Sequence, residues 1–215
     1  MKASQRGGTA RVKAGHNIVV VSRIARYRVD TRQFQQALGV DGRLDGLADH
    51  AGGVVEAQIH ITGRFQRAAQ ILAQAGATAE VICAGLLHDT LEDTSVTSEQ
   101  LEEAFGPVVR KLVEGCSEDK TLSWEERKEH TIQMLKSEIS MDVKLITCAD
   151  KLSNLRSICL DYRELGDALW SRFHRGKEKQ RWYYRALGEA MAPLESRWGL
   201  VQEYRQLLRE VFPEE

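Results

Sequence analysis

"CAGLLHDTLEDT", Cys83–Thr94, decides how this chain reads. The apolar pair Leu86-Leu87 runs straight into His88-Asp89, and Glu92 and Asp93 follow at once. On a helix, His88 and Glu92 are four residues apart, as are Asp89 and Asp93. One imidazole and three carboxylates then crowd a single helix end. Like charges at that spacing repel, and a buried carboxylate is costly unless it is paired or holds a metal. A divalent cation turns the repulsion into coordination, and mixed imidazole and carboxylate donors suit Mn²⁺, Fe²⁺ or Zn²⁺ better than Ca²⁺.

One cluster is not a site, and "LITCADKLSNLRS" supplies a second. Asp150 ends an apolar run just as Asp89 does, and Asn154 lies one turn later on the same face. Each piece has a plainer explanation. His-Asp dipeptides arise by chance, a His–Glu pair at four spacing is often a solvated ion pair, and Asp150-Lys151 fits a surface pair. Taken singly these explanations win. Two acids, each at the end of an apolar helical run, reverse the choice.

The surroundings are helical. "QRAAQILAQAG" is Ala-rich and amphipathic, with Gly76 as its stop. "TAEVICAGLLHDTLED" reads as one helix capped by Thr78, with Glu80 in its first turn. "TSEQLEEAFGPVVRKLVEGCS" reads as two short helices, capped by Thr97 or Ser98 and separated at Gly106-Pro107. Ser123 and Glu126 form a capping box. Val143, Ile146, Ala149, Leu152 and Leu155 share a helical face. Two further helices, broken near Pro193, complete the chain. After residue 65 no alternating strand pattern occurs, so the class is all-α. Residues 1–43 are weakly patterned, and "NIVVVSRIARYRV" suits a strand or a short helix.

The chain has 215 residues, 42% hydrophobic and 28% charged, which suits a soluble globular protein. Its net charge of −1 gives no global basic field for nucleic acid. Residues 1–65 carry +5 and the remainder −6; the basic part reads as a solvated or poorly ordered tail rather than a nucleic-acid arm. The longest apolar runs are too short to span a bilayer, and the start is a poor signal peptide, so a cytoplasmic protein is expected. The four cysteines, Cys83, Cys116, Cys148 and Cys159, show no CxxC pairing and read as reduced thiols.

"AGLLHDTLEDT" and "KLITCADKLSNLRSI" resemble the two signature segments of HD-domain phosphohydrolases, specifically the RelA/SpoT-type hydrolase domain and the small alarmone hydrolases. "FGPVVRKLVEGCSEDKTLSWEERKEHT" and "FHRGKEKQRWYYRAL" are similar to the family's intervening segment and C-terminal helix. The resemblance covers about residues 66–192. It implies a helical bundle holding one Mn²⁺, or another divalent transition metal, and removing the 3′-pyrophosphate of (p)ppGpp by direct attack of water. It implies His88, Asp89 and Asp150 as metal ligands, and Glu92 and Asp93 as the pair that positions or activates the water. It places Lys120 and Asn154 close to the nucleotide, with Tyr183 and Tyr184 near it. The domain would then be residues 46–192, between an N-terminal segment, 1–45, and a C-terminal helix, 193–215.

The match departs from the family at its first metal histidine. Aligning on Ile71-Leu72 puts Arg64 at that position and Phe65 where proline is usual. Three readings compete. His60 or His50 supplies the ligand through a shifted helix start. Arg64 replaces it and weakens the site. Or the residues before about 65 are not the family's own sequence, and the abrupt change from no match to strong match favours this reading or the second over the first. The first reading keeps the chain an enzyme. The second makes it an impaired HD domain that binds a nucleotide or a partner protein, with a guanidinium that repels cations and holds phosphate. An HD phosphatase for another nucleotide is the third function considered. His16, His130 and His174 read as solvated. The expected partner is a small nucleotide, with no nucleic acid and no membrane, and the aromatic C-terminal helices leave room for a homo-oligomer.

Overall fold

The computed structural model describes residues 63–213 and, upstream, the strands β1 (Asn17–Val21) and β2 (Arg26–Asp30). The strands pair antiparallel, with Asn17 opposite Asp30 and Val21 opposite Arg26. Three valines and an isoleucine in β1 suit a pleated surface, which settles the open choice for "NIVVV" in favour of a strand. His16, His50 and His60, and most of the expected N-terminal segment, lie outside the described residues.

From Gly63 onward every regular element is helical. The elements are α1 (Gly63–Gln74), α2 (Ala79–Leu87), the single turn α3 (Thr90–Asp93), α4 (Ser98–Cys116), α5 (Trp124–Lys136), α6 (Met141–Leu165), α7 (Gly176–Met191) and α8 (Gly199–Val211). Short 3₁₀ segments, Gly166–Arg172 and Ala192–Leu194, flank α7. No helix among the described residues is long and apolar enough to cross a membrane.

The local signals explain the boundaries. Thr78 caps α2 by accepting from the Val81 N–H. Thr97 with Gln100, and Ser123 with Glu126, form reciprocal capping boxes at α4 and α5. At Gly106 the backbone turns to φ 84°, so α4 is two helical pieces joined at a kink, with Pro107 opening the second. Pro193 falls in the 3₁₀ turn between α7 and α8. The 3₁₀ turn at "GDALWSR" went unseen in the sequence, where α6 had no marked end; Gly166 supplies it with φ 55°.

One expectation needs correction. "TAEVICAGLLHDTLED" is not one continuous helix. It breaks after Leu87, and Asp89 adopts φ −94°, ψ 2° before the turn α3 begins. Asp89's carbonyl accepts from the N–H groups of Glu92 and Asp93, so the chain restarts a tight new turn at the acids. The four-residue spacings of His88–Glu92 and Asp89–Asp93 therefore do not lie on one helical face.

The core is a bundle built around α6. Its positions 143–150 are buried without interruption. Val143, Ile146, Ala149, Leu152 and Leu155 are buried as the pattern required. Helices α1, α2, α4 and α8 pack against α6, and α5 packs on α7. Gly85 permits the closest approach of α1 and α2, since a Cβ there would meet Leu72 Cδ1 at 2.2 Å. The aromatics of the C-terminal stretch turn mostly inward. Trp170, Tyr183, Tyr184, Trp198 and Tyr204 are buried, while Trp182 stays exposed. The four cysteines are free thiols, three of them buried. Burial pushes the thiols of Cys83, Cys116 and Cys148 up to about 12.

Candidate active site

The break between α2 and α3 faces the middle of α6 across a cavity of about 290 Å³. The apolar run of α2 carries His88 into the interior, and the apolar run of α6 carries Asp150 to meet it; both are buried. His88 Nδ1 donates to the Gly85 carbonyl at 2.8 Å, because a carbonyl only accepts. Nε2 then faces the acids, at 3.2 Å from Asp89 Oδ1 and 3.4 Å from Asp150 Oδ1.

That geometry demands positive charge. A neutral Nε2 lone pair aimed at two carboxylate oxygens is repelled by both. A proton on Nε2 relieves this. Burial disfavours the imidazolium, yet the hydrogen bond to Asp150 and the charges of Asp150 and Asp89 outweigh it and lift His88 above its ordinary value. A cation relieves it equally well. Donor atoms that share one cation at ~2.1 Å lie ~3.0–3.4 Å apart, close to the two spacings seen. The donor set and those spacings fit a divalent transition metal held by His88, Asp89 and Asp150.

Among the described residues no group of three or more His, Cys, Asp and Glu side chains stands in metal-holding geometry. Asp150's oxygens also accept from donors within α6. Lys151 Nζ meets Oδ2 at 2.8 Å and Asn154 Nδ2 meets Oδ1 at 3.0 Å. Burial alone would raise Asp150's carboxyl. The Lys151 ammonium and the His88 contact overcome that and hold it far below the usual carboxylate range. In return the Asp150 charge keeps Lys151 protonated despite burial. Both carboxyl oxygens of Asp150 stay ionised acceptors. Arg64 lies in α1, and the first histidine of the family pattern has no counterpart among the described residues.

The remaining expected residues gather at the same cavity. Glu92, Asp93, Lys120 and Asn154 all line it. Glu92 is half-buried and Asp93 exposed. Burial pushes Glu92's carboxyl above its ordinary value, and the neighbouring charges of Asp89 and Glu118 add to this against the Glu118 N–H. Lys120 Nζ reaches the Glu92 carbonyl at 2.7 Å and Asp93 Oδ1 at 2.5 Å. Tyr183 and Tyr184 do not line the cavity. Tyr183 lies behind it, with Lys128 Nζ 5.4 Å from its ring centre. His130 and His174 are exposed, as read.

Sequence reasoning missed a group of cavity residues. Glu118, Arg127, Lys128, Thr131 and Lys151 line the cavity too. Glu118 meets Lys128 across 10 residues and Glu92 across 26, spacings that no helical pattern contains, while Lys151 pairs with the adjacent Asp150 and reads in the sequence as half of a surface pair. The nearest signal is the dense alternation of charges in "SEDKTLSWEERK".

Comparisons with known proteins give the chain's family and relatives. A family model described as an HD domain matches residues 48–177. The match starts upstream of residue 65, so the likeness does not stop where the sequence motifs thin out. A Mus musculus protein named guanosine-3′,5′-bis(diphosphate) 3′-pyrophosphohydrolase MESH1 is 37% identical over 134 residues, covering 62% of this chain and 68% of that protein. The Danio rerio protein of the same name is 46% identical over 79 residues, covering 37% and 43%. The chain spans about half the length of most such relatives. A crystal structure of a Listeria monocytogenes EGD-e protein superimposes with TM-score 0.66 at 38% identity, covering 71% of this chain and all of that one.

Proposed function

The chain belongs to the HD-domain family, and from that premise we propose that it is a metal-dependent phosphohydrolase removing the 3′-pyrophosphate of guanosine 3′,5′-bis(diphosphate). The family implies a divalent cation; Mn²⁺ is the ion we assign. The observation that carries the reading is the meeting of His88 with Asp89 and Asp150, at 3.2 and 3.4 Å, in a cavity that also receives Glu92, Asp93 and Lys120. The substrate comes from the names of the relatives.

The residues divide the work. His88, Asp89 and Asp150 would hold the cation. When bound, that ion supplies Lewis-acid charge at the phosphoryl group and acidifies water. Glu92 or Asp93 accepts the proton of the attacking water. A carboxyl raised by burial, as at Glu92, is the better base near neutral pH. The water oxygen bonds to phosphorus, the bond from phosphorus to the ribose 3′ oxygen breaks, and that oxygen takes a proton. GDP and pyrophosphate result. Lys120 and Asn154 contact the nucleotide, and the ammonium groups of Lys128 and Lys151 with the Arg127 guanidinium face its phosphate charge.

The test is a turnover assay. Purified chain with Mn²⁺ and ppGpp is expected to release GDP and pyrophosphate, resolved by anion exchange, and Asp89→Ala is expected to release none. A Mn²⁺-loaded wild type that leaves ppGpp intact would overturn the substrate assignment.

A further inference from the structure

The loop between α4 and α5 does more than connect them. Glu118 stands in it, and its carboxylate is fastened to one face of α5. Lys128 Nζ meets its two oxygens at 2.7 and 3.0 Å, Arg127 Nη1 donates at 3.1 Å and the Thr131 hydroxyl at 3.4 Å. The same residue's backbone N–H donates to Glu92 Oε1 at 2.7 Å. Two residues on, Lys120 takes the Glu92 carbonyl and the Asp93 carboxylate. The loop is itself braced. Ser117 caps α4 through the Val113 carbonyl, and Asp119 holds Thr121 by both its N–H and its hydroxyl.

We propose that Glu118 is a positioning residue for the Glu92–Asp93 pair, anchored on Lys128 and acting through its own backbone N–H and through Lys120. The physical case is that, among the described residues, the Glu118 N–H donates the hydrogen bond that ties Glu92's carboxylate to another element. Turn α3 is only four residues long, Thr90–Asp93, and a one-turn helix has little stiffness of its own. A charge-assisted bond from a fixed N–H orients a carboxylate strongly. The fixing comes from the half-buried carboxylate of Glu118, whose ion pair with Lys128 is sheltered enough to be stiff. Misplacing a reacting group by a fraction of an ångström is costly in rate.

The inference rests on reading Glu92 and Asp93 as the water-positioning pair, so its test has two readouts. The first needs no turnover. The residue-118 amide, followed by ¹⁵N NMR and deuterium exchange, is expected to be protected in the wild type. Lys128→Met, Glu118→Ala and Glu92→Gln should each speed its exchange, on the order of tenfold. The second readout is kcat and KM on ppGpp with Mn²⁺. Glu118→Ala should lower kcat on the order of tenfold with KM little changed. Glu118→Gln keeps an acceptor for Lys128 and should recover part of the loss. In a Glu92→Gln background, Glu118→Ala should cost nothing more. Residue-118 exchange unchanged in Lys128→Met, or losses that multiply in the double variant, would overturn the proposal and leave Glu118 a brace of the loop alone. A wild type inert toward ppGpp would instead overturn the proposed function, and the exchange readout would still decide the role of Glu118.

Discussion

Helix α6 carries two kinds of ion pair, and they differ in everything but distance. Near its middle, Asp150 is buried between Lys151 at 2.8 Å, His88 at 3.4 Å and Asn154 at 3.0 Å. Farther along, Arg156 grips Glu203 and Arg163 grips Glu210 of α8, each through two bonds of 2.6–2.8 Å. The outer pairs have the better geometry. They also lie in water, with Arg163 55% and Glu210 40% exposed at the side chain. Exposed pairs gain little, because solvent screens them and ordering two long side chains costs entropy. The inner group has lost its water, so each charge depends on its neighbours. Burial, not separation, decides where charge matters in this fold, and the charges that matter are at the cavity.

Lys151→Met is the severest way to break the inner group. It strips Asp150 of its largest compensating charge, and loss of one partner in a buried pair costs about 3–5 kcal/mol. For a chain of this size that lowers Tm of the metal-free protein by on the order of 10 °C. Adding Asp150→Asn removes the stranded charge and should return much of the loss. If Lys151→Met melts like the wild type, the inner group is as solvated as the outer one and the contrast fails.

The outer pair gives the smallest expected effect. Arg163→Ala should leave Tm at pH 7 almost unmoved. Its pH dependence has a definite sign. The hydrogen bond and charge of Arg163 hold Glu210 down at about 2 in the folded chain. A depressed folded value gives stability that is present above the unfolded value, ~4.3, and lost as pH falls toward about 2. Solvent screening leaves only a small Tm difference between wild type and Arg163→Ala at pH 7, and that small difference should vanish as pH drops through that window. A large difference at pH 7 would show that the α6–α8 seam is not governed by solvent screening.

Much of this was legible in the sequence, for identifiable reasons. The caps at Thr78, Thr97 and Ser123 are local chemistry, and so is the kink at Gly106. The apolar face of α6 follows from period alone. His88 and Asp150 were legible because each ends an apolar run. The break at His88-Asp89 was not, since no glycine or proline marks it. Glu118 was hidden for another reason. It meets Glu92 across 26 residues and Lys128 across 10, spacings that no helical pattern contains. Lys120 was found, but through family resemblance rather than its own surroundings.

The central claim is that His88, Asp89 and Asp150 form one cation site. It is tested most directly by titrating Mn²⁺ into chelator-treated protein by calorimetry, with Asp89→Asn and Asp150→Asn alongside. The account predicts one bound ion per chain in the wild type and none at the same concentrations in either variant. Equal binding by all three proteins would contradict it and place the cation elsewhere.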